Sequence, residues 1–384
     1  MIQQVKTVRG SMGATASERA PAGVWQRLLW GPVRGRSTYF IVIGLFLRLL
    51  GLVYLAAFAS FGLQVTGLVG SEGILPLGQD LAALQDRHGE LAPLLFPSVF
   101  WLDASDMALQ GACLAGVVAA VMLVLNRATR LMLPLLFLLY LSLVYAGQVF
   151  MNFQWDFMLL EAGFLAIFLP WGSPFVLWLL HWLLFRLRFL SGLSKLTLQD
   201  PTWSGLTALN YYFEVQPLPT PLAWYAHQLP DWLLKTGTAA TLVVEILVPL
   251  MMFLPRRWRF AAAWITIFWQ LLIILTSNHN WFNFLTIALC LFLFDDRALQ
   301  RVVPESVRRA LLPRPAPAAR VLPARRLASA TLAGVVLLAA VILTTLVAPV
   351  MLQWVIPRAP RDERHGGDEP EAHEEHASIH GGDG

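Results

Sequence analysis

Long apolar runs constrain the fold of this chain more than any other feature of its sequence. A transmembrane α-helix needs about 20 predominantly apolar residues, and a somewhat shorter helix is tolerated where neighbouring helices support it. Nine candidate runs lie near residues 39–63, 107–125, 131–151, 157–170, 175–192, 236–254, 260–277, 281–294 and 329–356. The fourth and the eighth are short, and each is also compatible with a broken or re-entrant segment that packs against protein. We therefore predict an all-α fold, namely a polytopic integral membrane helical bundle of about nine transmembrane helices.

The composition agrees with a membrane protein. Apolar residues make up 57% of the 384 residues and charged residues only 14%, whereas a soluble domain carries about 25% charged residues. The net charge of +4 comes with arginines that lie beside the apolar runs, so membrane lipids, and not nucleic acids, are the predicted partners. The two cysteines, Cys113 and Cys290, lie within apolar runs, which argues against a disulfide framework.

Charge at the ends of the runs gives the predicted orientation and the domain boundaries. Basic residues concentrate before the first run, near 127–130, near 256–259 and in 295–328. With nine spans, the positive-inside rule places the N-terminus in the cytoplasm and the C-terminus outside. The predicted regions are a cytoplasmic N-terminal segment (1–38), a membrane core (39–294) with external loops 64–106 and 193–235, a basic Pro-rich cytoplasmic linker (295–328), the last transmembrane helix (329–356) and a disordered tail (357–384).

The tail is rich in histidine and acidic residues. His373, His376 and His380 have a spacing that permits weak Zn²⁺ or Ni²⁺ capture, but a segment almost without apolar residues favours a solvated tail. The chain carries no nucleotide-binding, hydrolase or zinc-protease motif. We therefore predict no metal site and no cofactor.

Several ionisable residues lie inside or at the edge of the apolar runs, where charge is costly and is normally paired or functional. The stretch NFQWDFMLLEAGFLAIFLPW (152–171) contains two carboxylates, and the next run carries basic residues at helical spacing. Glu245 lies in a later run, where it either joins Arg186 or His181 or forms a hydrogen bond to a neighbouring helix. The predicted intramembrane charge network comprises Asp156, Glu161, His181, Arg188, Lys195 and Glu245.

Two interpretations of this network remain open. If consecutive runs are antiparallel neighbours, Asp156 comes level with Lys195 and Glu161 with Arg188. The two charges within each pair then neutralise each other, and the pairs fix the two helices together. Alternatively, Lys195 is a tunable base or a substrate anchor at the rim of a cavity.

The predicted external loop 193–235 is rich in aromatic residues, and its prolines rule out a long helix across 216–221. Aromatic residues at a membrane boundary most simply form an interfacial belt, and the same surface suits an extended or partly folded client protein. The candidate client contacts are Trp203, Tyr211, Tyr212, Trp224, Tyr225 and Trp232.

Four blocks of sequence resemble the lipase maturation factor family. They are FQWDFMLLEAGFLAIFL (153–169), FRLRFLSGLSKL with DPTW (185–203), YYFEVQPLPTPLAWYAHQLPDW (211–232) and NHNWFNFLTIALCLFLFDD (278–296), and the resemblance covers most of residues 40–300. It implies a polytopic membrane protein that assists the folding of exported client proteins, lipases among them, and that is not expected to be an enzyme. The family's long C-terminal domain has no counterpart here, since only residues 357–384 follow the last predicted span.

The resemblance also bears on location and on an alternative function. Eukaryotic members lie in the endoplasmic reticulum membrane, whereas the composition of this chain suggests a bacterial inner membrane. The stretch SGLSKL (191–196), with Trp203 shortly after it, is similar to an element of vitamin K-dependent gamma-carboxylases. That resemblance implies an integral membrane enzyme acting on a lipid-soluble substrate with Lys195 as base and His181 as a further candidate. A transporter is a third possibility, which the absence of internal repeats disfavours.

Overall fold

The computed structural model describes residues 38–171, 174–198 and 200–311. Every regular element in these ranges is a helix, so the predicted all-α membrane bundle is confirmed for this part of the chain. Most of the N-terminal segment, the linker beyond residue 311, the predicted last transmembrane helix (329–356) and the tail lie outside the described residues.

The α-helices follow one another in the order α1 (Phe40–Gly62), α2 (Val65–Val69), α3 (Leu77–His88), α4 (Ala92–Leu95), α5 (Asp106–Val124), α6 (Thr129–Gly147), α7 (Gln154–Ile167), α8 (Pro174–Thr197), α9 (Pro201–Ser204), α10 (Ala208–Tyr212), α11 (Pro221–His227), α12 (Asp231–Met251), α13 (Arg256–Thr276), α14 (Phe282–Cys290), α15 (Asp296–Leu299) and α16 (Glu305–Leu311). Short 3-10 helices lie at Gly89–Leu91, Val99–Trp101, Gln148–Met151, Leu169–Trp171 and Leu291–Leu293.

Within the described ranges, six helices are long and apolar enough to cross a membrane, namely α1, α5, α6, α8, α12 and α13. The count of about nine is therefore not supported. It included the runs near 157–170 and 281–294, which form α7 with 14 residues and α14 with nine. At 1.5 Å per residue, α7 is about 21 Å long, which is shorter than the hydrocarbon layer of about 30 Å.

The core forms where α1 packs against α5, α6 and α7. Phe58 of α1 lies directly against the backbone of α5, because a Cβ atom at Gly116 would come within 2.2 Å of the Phe58 ring. In this core the ring of Tyr140 meets the rings of Tyr54 and Phe58 edge to face. Such dense packing gives α1 a fixed position in the bundle.

The first and last parts of the described chain meet at the N-terminus of α1. The carboxylate of Asp296, on α15, accepts hydrogen bonds from the backbone N–H groups of Phe40, Ile41 and Val42 at 2.8, 2.9 and 3.2 Å. These are donors that a helix cannot satisfy by itself. Asp295 forms a two-pronged ion pair with Arg256 at the start of α13. Asp295 and Asp296, late in the described chain, therefore connect the start of α13 and the start of α1.

The segments predicted as external loops contain helices of their own. Residues 63–105 include α2 to α4 and are tied to the bundle, because Asp106 accepts the Ser71 N–H at 2.7 Å and Ser142 accepts the Val99 N–H at 3.0 Å. The predicted loop 193–235 is shorter than expected, since α8 continues to Thr197 and α12 begins at Asp231.

Helices α9, α10 and α11 form a small unit on one end of the bundle, which we call the α9–α11 subdomain. Its core consists of Phe213, Ala223 and Leu234, the last of which belongs to α12. Prolines begin α9 and α11, at the position where a missing N–H is tolerated. The subdomain thus rests on the first turns of a membrane helix.

Candidate functional site

Asp156 is buried at the start of α7 and forms no ion pair with a described residue. It is 2% exposed. Its Oδ1 accepts a hydrogen bond from the Tyr140 hydroxyl at 2.7 Å, and its Oδ2 accepts the Phe153 N–H at 3.4 Å. The first turn of a helix is favourable for a carboxylate because of the helix dipole. The predicted pair of Asp156 with Lys195 is therefore wrong.

Glu161 forms its ion pair with Arg186, and both side chains are nearly buried. Arg186 and Arg188 are two positions apart, which is about 200° around a helix, so only one of them can face α7. That residue is Arg186, and the predicted pair of Glu161 with Arg188 is wrong. The observed pair neutralises two charges at the contact of α7 with α8.

Arg188 and Lys195 share one carboxylate, Glu245 of α12, and we call these three residues the Glu245 centre. Lys195 Nζ lies 2.6 Å from Oε2, and Arg188 Nη2 lies 3.4 Å from Oε1. The side chains of Arg188 and Glu245 are 4% and 5% exposed, and that of Lys195 is 20% exposed. The basic stripe predicted along α8 does face one partner helix, but this helix is α12 and not α7.

Gly192 sets the distance between α8 and α12 at the Glu245 centre. It lies one turn from Arg188 and from Lys195 on the same stripe. A Cβ atom at this position would come within 2.8 Å of Glu245 Cβ and 2.7 Å of Ile246 Cγ1. Glycine therefore allows the close helix contact that brings the carboxylate between its two basic partners.

The Glu245 centre has one more positive than negative charge. Glu245 is the one carboxylate of the described residues that forms an ion pair with Arg188 or Lys195. Nε and Nη2 of Arg188 are also buried without a hydrogen-bond partner in the part of the chain that the structure describes. A buried charge with incomplete pairing is costly, and such groups in membrane helices are usually functional.

The Lys195 side chain is fixed by three hydrogen bonds in which its Nζ is the donor. Its Nζ donates to Glu245 Oε2, to the Ser191 carbonyl at 3.1 Å and to Ser191 Oγ at 3.0 Å. An ammonium group has three N–H donors, so these three acceptors use all of them. The geometry suits a positioned charge and does not present a free amine to a substrate.

A second polar group lies next to the Glu245 centre, at the end of the bundle that carries the α9–α11 subdomain. It consists of Tyr212, Ser277 and His279, and we call it the Tyr212 cluster. The Tyr212 hydroxyl lies 2.6 Å from Ser277 Oγ and 2.7 Å from His279 Nε2, and Ser277 Oγ lies 2.9 Å from the same nitrogen. This cluster joins the subdomain to the turn between α13 and α14.

Electrostatic interactions connect the two groups. Burial, and then the Lys195 ammonium, lower the pKa of His279 below its ordinary value of 6.5. Burial raises the pKa of Tyr212, the charge of Glu245 raises it further, and the Ser277 hydrogen bond opposes this effect. The ring centre of Trp203 lies 5.1 Å from Lys195 Nζ, within the range of a cation–π interaction.

The structure separates the six predicted network residues. It brings Arg188, Lys195 and Glu245 together, and it places Asp156 and Glu161 with other partners. His181 forms no ion pair with a described carboxylate, and its Nδ1 lies 2.8 Å from the carbonyl oxygen of Leu177, one turn earlier on α8. The predicted single network is thus three separate groups and a histidine.

The six aromatic candidates also divide. Tyr211, Trp224, Tyr225 and Trp232 are 56%, 64%, 64% and 67% exposed, and we call these four residues the aromatic surface. Tyr212 belongs to the Tyr212 cluster, and Trp203 packs against Lys195. Four candidates are therefore available to a partner, whereas two hold the subdomain on the bundle.

Sequence reasoning missed three participants. Tyr140 and Ser277 are single polar residues in apolar or loop surroundings, and their roles follow only from tertiary contacts. His279 lies in the quoted stretch NHNWFNF, where a histidine in a short turn between two apolar runs was an available signal. Polar residues in such turns are candidates for contact with neighbouring loops.

Comparison with known proteins gives a consistent result. Residues 42–301 match the family described as lipase maturation factor transmembrane domain. The chain is 44% identical over 286 residues to lipase maturation factor 2 of Gallus gallus, covering 69% of this chain and 40% of that protein. It is 42% identical over 289 residues to lipase maturation factor 2 of Homo sapiens, covering 66% and 40%.

The similarity extends to a second group of relatives. The chain is 35% identical over 288 residues to lipase maturation factor 1 of Mus musculus, covering 70% of this chain and 50% of that protein. The chain therefore spans about two fifths to one half of the length of these relatives. No solved structure matches it significantly.

Proposed function

The chain belongs to the lipase maturation factor family, and from this premise we propose that it is a membrane-embedded maturation factor that assists the folding or assembly of exported proteins. Lipases are the proposed clients, because the relatives are named for lipase maturation. The relatives' names give no support to an enzyme or a transporter. The observation that carries the proposal is the aromatic surface.

The aromatic surface has the composition of a protein-binding site. Trp224, Tyr225 and Trp232 are each about two-thirds exposed, and Val215 and Leu218, in the segment between α10 and α11, are 70% and 69% exposed. Tryptophan and tyrosine contribute most to binding energy in protein interfaces, and exposed apolar patches mark interaction sites. This surface suits the apolar regions that an incompletely folded client exposes.

The α9–α11 subdomain is firmly fixed to the membrane helices. Gln216 Nε2 donates to the Thr276 carbonyl at 3.1 Å, and Thr220 Oγ1 donates to the Leu275 carbonyl at 2.7 Å. Thr238 of α12 accepts the Leu209 N–H at 3.3 Å. Because the α9–α11 subdomain is already fixed, it loses little conformational entropy when a client binds, and this favours affinity.

The charges at the helix ends support an orientation of the α9–α11 subdomain relative to the two sides of the membrane. Arg256, Arg257 and Arg259 begin α13 at the end of α12 that lies away from the subdomain. By the positive-inside rule, the arginine-rich end is cytoplasmic, so the aromatic surface lies on the non-cytoplasmic side. In a bacterium this is the outer face of the inner membrane, and in a eukaryote it is the lumen of the endoplasmic reticulum.

The intramembrane ion pairs have a positioning role in this proposal. The Glu161–Arg186 pair joins α7 to α8, and the Glu245 centre joins α8 to α12, on which the subdomain rests. Separating the partners of a buried ion pair leaves an uncompensated charge, which costs several kcal/mol. The two helices are therefore held in the register that keeps the pair together. The Glu161–Arg186 pair and the Glu245 centre together therefore keep the α9–α11 subdomain at one height above the membrane.

The first experiment compares the abundance and intact mass of exported proteins with and without the gene. A maturation factor predicts the loss of a few exported proteins, including a lipase, with unchanged masses in those that remain. A defined protein or lipid that keeps its abundance but lacks a covalent mass contradicts the proposal, because it indicates an enzyme.

A second experiment tests the aromatic surface. The combined change of Trp224, Tyr225 and Trp232 to alanine is expected to weaken client capture about tenfold or more, since interface aromatics often contribute over 1 kcal/mol each. Trp264→Ala is the matched control, because Trp264 is 62% exposed on α13, within a membrane span. Equal yields of active exported lipase with the triple variant and with the control contradict the proposal.

A further inference from the structure

An apolar groove runs between α5 and α6 on the outside of the described bundle, and we call it the α5–α6 groove. It has a volume of about 560 Å³ and is lined by one stripe of α5, from Gly111 to Met122, and by Met132 and Leu135 of α6. Every residue that lines it is apolar. The groove therefore suits an apolar occupant within the membrane.

The groove faces away from α1. Gly116 of α5 packs against the Phe58 ring of α1. Val118, which lines the groove, lies two positions further along α5, or about 200° around the helix. One side of α5 is therefore covered by α1, and the opposite side is open.

The α5 side of the groove is formed by small residues. Gly111, Ala115 and Ala119 recur every four residues, which puts them on one face of the helix. Such stripes let two membrane helices approach closely. A second helix here would lie at the distance that the methyl groups of Ala115 and Ala119 set, so a methyl group at position 111 would be tolerated as well.

The glycines of the long membrane helices show that a neighbour is missing on this face. A Cβ atom at Gly51, Gly116 or Gly192 would come within 2.9 Å of an atom of another helix. Gly111 is the one glycine of the six long helices at which a Cβ atom would meet nothing within 4 Å among the described residues. Elsewhere in this bundle, glycine in a long helix accompanies a close contact.

The described chain ends at the same end of the bundle as the turn between α5 and α6. Leu311 lies against the second turn of α1, because a Cβ atom at Gly44 would come within 2.9 Å of the Leu311 carbonyl oxygen. Val124, the last residue of α5, lies against Gly51. The levels of Gly44 and Gly51 are about 10 Å apart along α1.

The predicted last transmembrane helix (329–356), which lies outside the described residues, is connected closely enough to reach the groove. Residues 312–328 reach about 55 Å when extended. Two interhelical distances, from α1 across α5 to the groove, amount to only about 20 Å. A segment tethered to the same chain reaches a site at an effective concentration on the order of 1 mM, which favours it over a second copy.

We propose that the predicted last transmembrane helix (329–356) of the same chain packs into the α5–α6 groove, antiparallel to α5. It enters at the end that holds Leu311, so its small residues Ala330 and Gly334 lie near the long side chain of Met122. The chain beyond residue 356 then leaves the membrane beside the start of α5, on the same side as the α9–α11 subdomain. This packing concerns the assembly of the membrane core and does not depend on the proposed function in client folding.

Disulfide cross-linking of the full chain in membranes tests the proposal. Ala115→Cys, in the middle of α5, is combined in turn with Val341→Cys, Ile342→Cys, Leu343→Cys or Thr344→Cys, in the middle of the predicted helix. Four successive positions cover all sides of a helix. After oxidation with copper phenanthroline, we expect one or two of the four pairs to form a disulfide within one chain, and the single-cysteine variants report any reaction of the native cysteines.

Phe268→Cys replaces Ala115→Cys in the matched control. Phe268 is 59% exposed on α13, and both positions lie about 12–14 Å from the end of their helix on the subdomain side. The best pair with Ala115→Cys is expected to give at least fivefold more disulfide than any pair with Phe268→Cys. Equal yields from the two positions overturn the proposal. A disulfide that joins two chains also overturns it, because a second copy then occupies the groove.

A variant that fills the groove gives an independent measurement. Ala115→Leu places a larger side chain where the helix is proposed to pack, so the Tm of the full chain is expected to fall by about 2 °C or more. Ala56→Leu is the matched control, because Ala56 is exposed on α1 and does not line the groove. Equal Tm values of the two variants overturn the proposal, since leucine is accepted where a side chain faces lipid.

Discussion

Replacing Gly192 with alanine tests the close contact of α8 with α12 on which the Glu245 centre depends. The added Cβ would lie 2.7 Å from Ile246 Cγ1, 2.8 Å from Glu245 Cβ and 3.0 Å from the Glu245 carbonyl carbon, whereas ordinary contacts begin at 3.4 Å. The Ile246 atom can turn away. The two Glu245 atoms can move only with α12, which must therefore shift by roughly half an ångström in a close-packed interior.

The expected cost follows from two opposing effects. Overpacking a tight contact destabilises by about 1–3 kcal/mol, and the shift of α12 also lengthens the ion pairs of Glu245. Alanine in place of glycine in a helix interior contributes about 1 kcal/mol of stabilisation. The free energy of unfolding of Gly192→Ala is therefore expected to fall by up to about 2 kcal/mol.

Gly111→Ala provides the matched control. Gly111 lies in the membrane helix α5, and a Cβ atom there would meet nothing within 4 Å. This variant is expected to gain about 0.5–1 kcal/mol. Equilibrium unfolding in mixed detergent micelles measures both variants against wild type. Equal stability of the two variants refutes the reasoning, because it means that Gly192 is not needed for the approach of the two helices.

Three further predictions concern single polar groups. Tyr140→Phe removes the hydroxyl donor to the buried Asp156 and is expected to lower the free energy of unfolding by about 1.5–3 kcal/mol, whereas a loss below 0.5 kcal/mol contradicts a charged acceptor. Asp296→Ala leaves three N–H groups of α1 without their acceptor, so the free energy of unfolding is expected to fall by about 2 kcal/mol in the same assay. Amide hydrogen exchange should become faster at Phe40 and its neighbours, and an unchanged exchange rate contradicts the capping role of Asp296. The lowered pKa of His279 means that the unfolded chain binds more protons between the folded pKa and 6.5, so stability should fall as the pH decreases through 6.5 and below. His279→Gln should remove this part of the pH dependence, and an unchanged pH profile contradicts the assignment.

Hydropathy predicted the membrane helices well where a run was long, as at α1, α12 and α13. The runs near 157–170 and 281–294 are short enough to suggest broken or re-entrant segments, and they form α7 and α14, neither of which is long enough to count among the candidate spans. In α7 the helix stops at Ile167, just before a 3-10 turn that contains Pro170. Helix α14 begins only after a turn at Asn280, whose φ is +49°, and it gives way to a 3-10 helix at Leu291.

The pairing of charges could not be predicted from helix periodicity alone. The stripe of Arg188 and Lys195 was recognisable, since both residues lie on one face of α8. Its partner was not, because the prediction assumed that helices adjacent in sequence carry complementary charges. The structure pairs α8 with α12 through Gly192, whose position on the same stripe of α8 does not identify the partner helix. Tertiary packing thus determines which carboxylate forms an ion pair with each basic residue.

The cap that Asp296 provides for α1 has a consequence for the order of synthesis. The carboxylate and the amides that it binds are 254 to 256 residues apart in the chain. At a translation rate of about 5–20 residues per second, α1 leaves the ribosome roughly 13–50 s before its cap exists. The N-terminus of α1, the first of the described membrane helices, is therefore completed only by the arrival of α15, and until then its N-terminal amides depend on water and lipid head groups. A nascent chain arrested before residue 296 should already contain the six long spans of the described residues and still lack the Asp296 cap that joins α15 to α1.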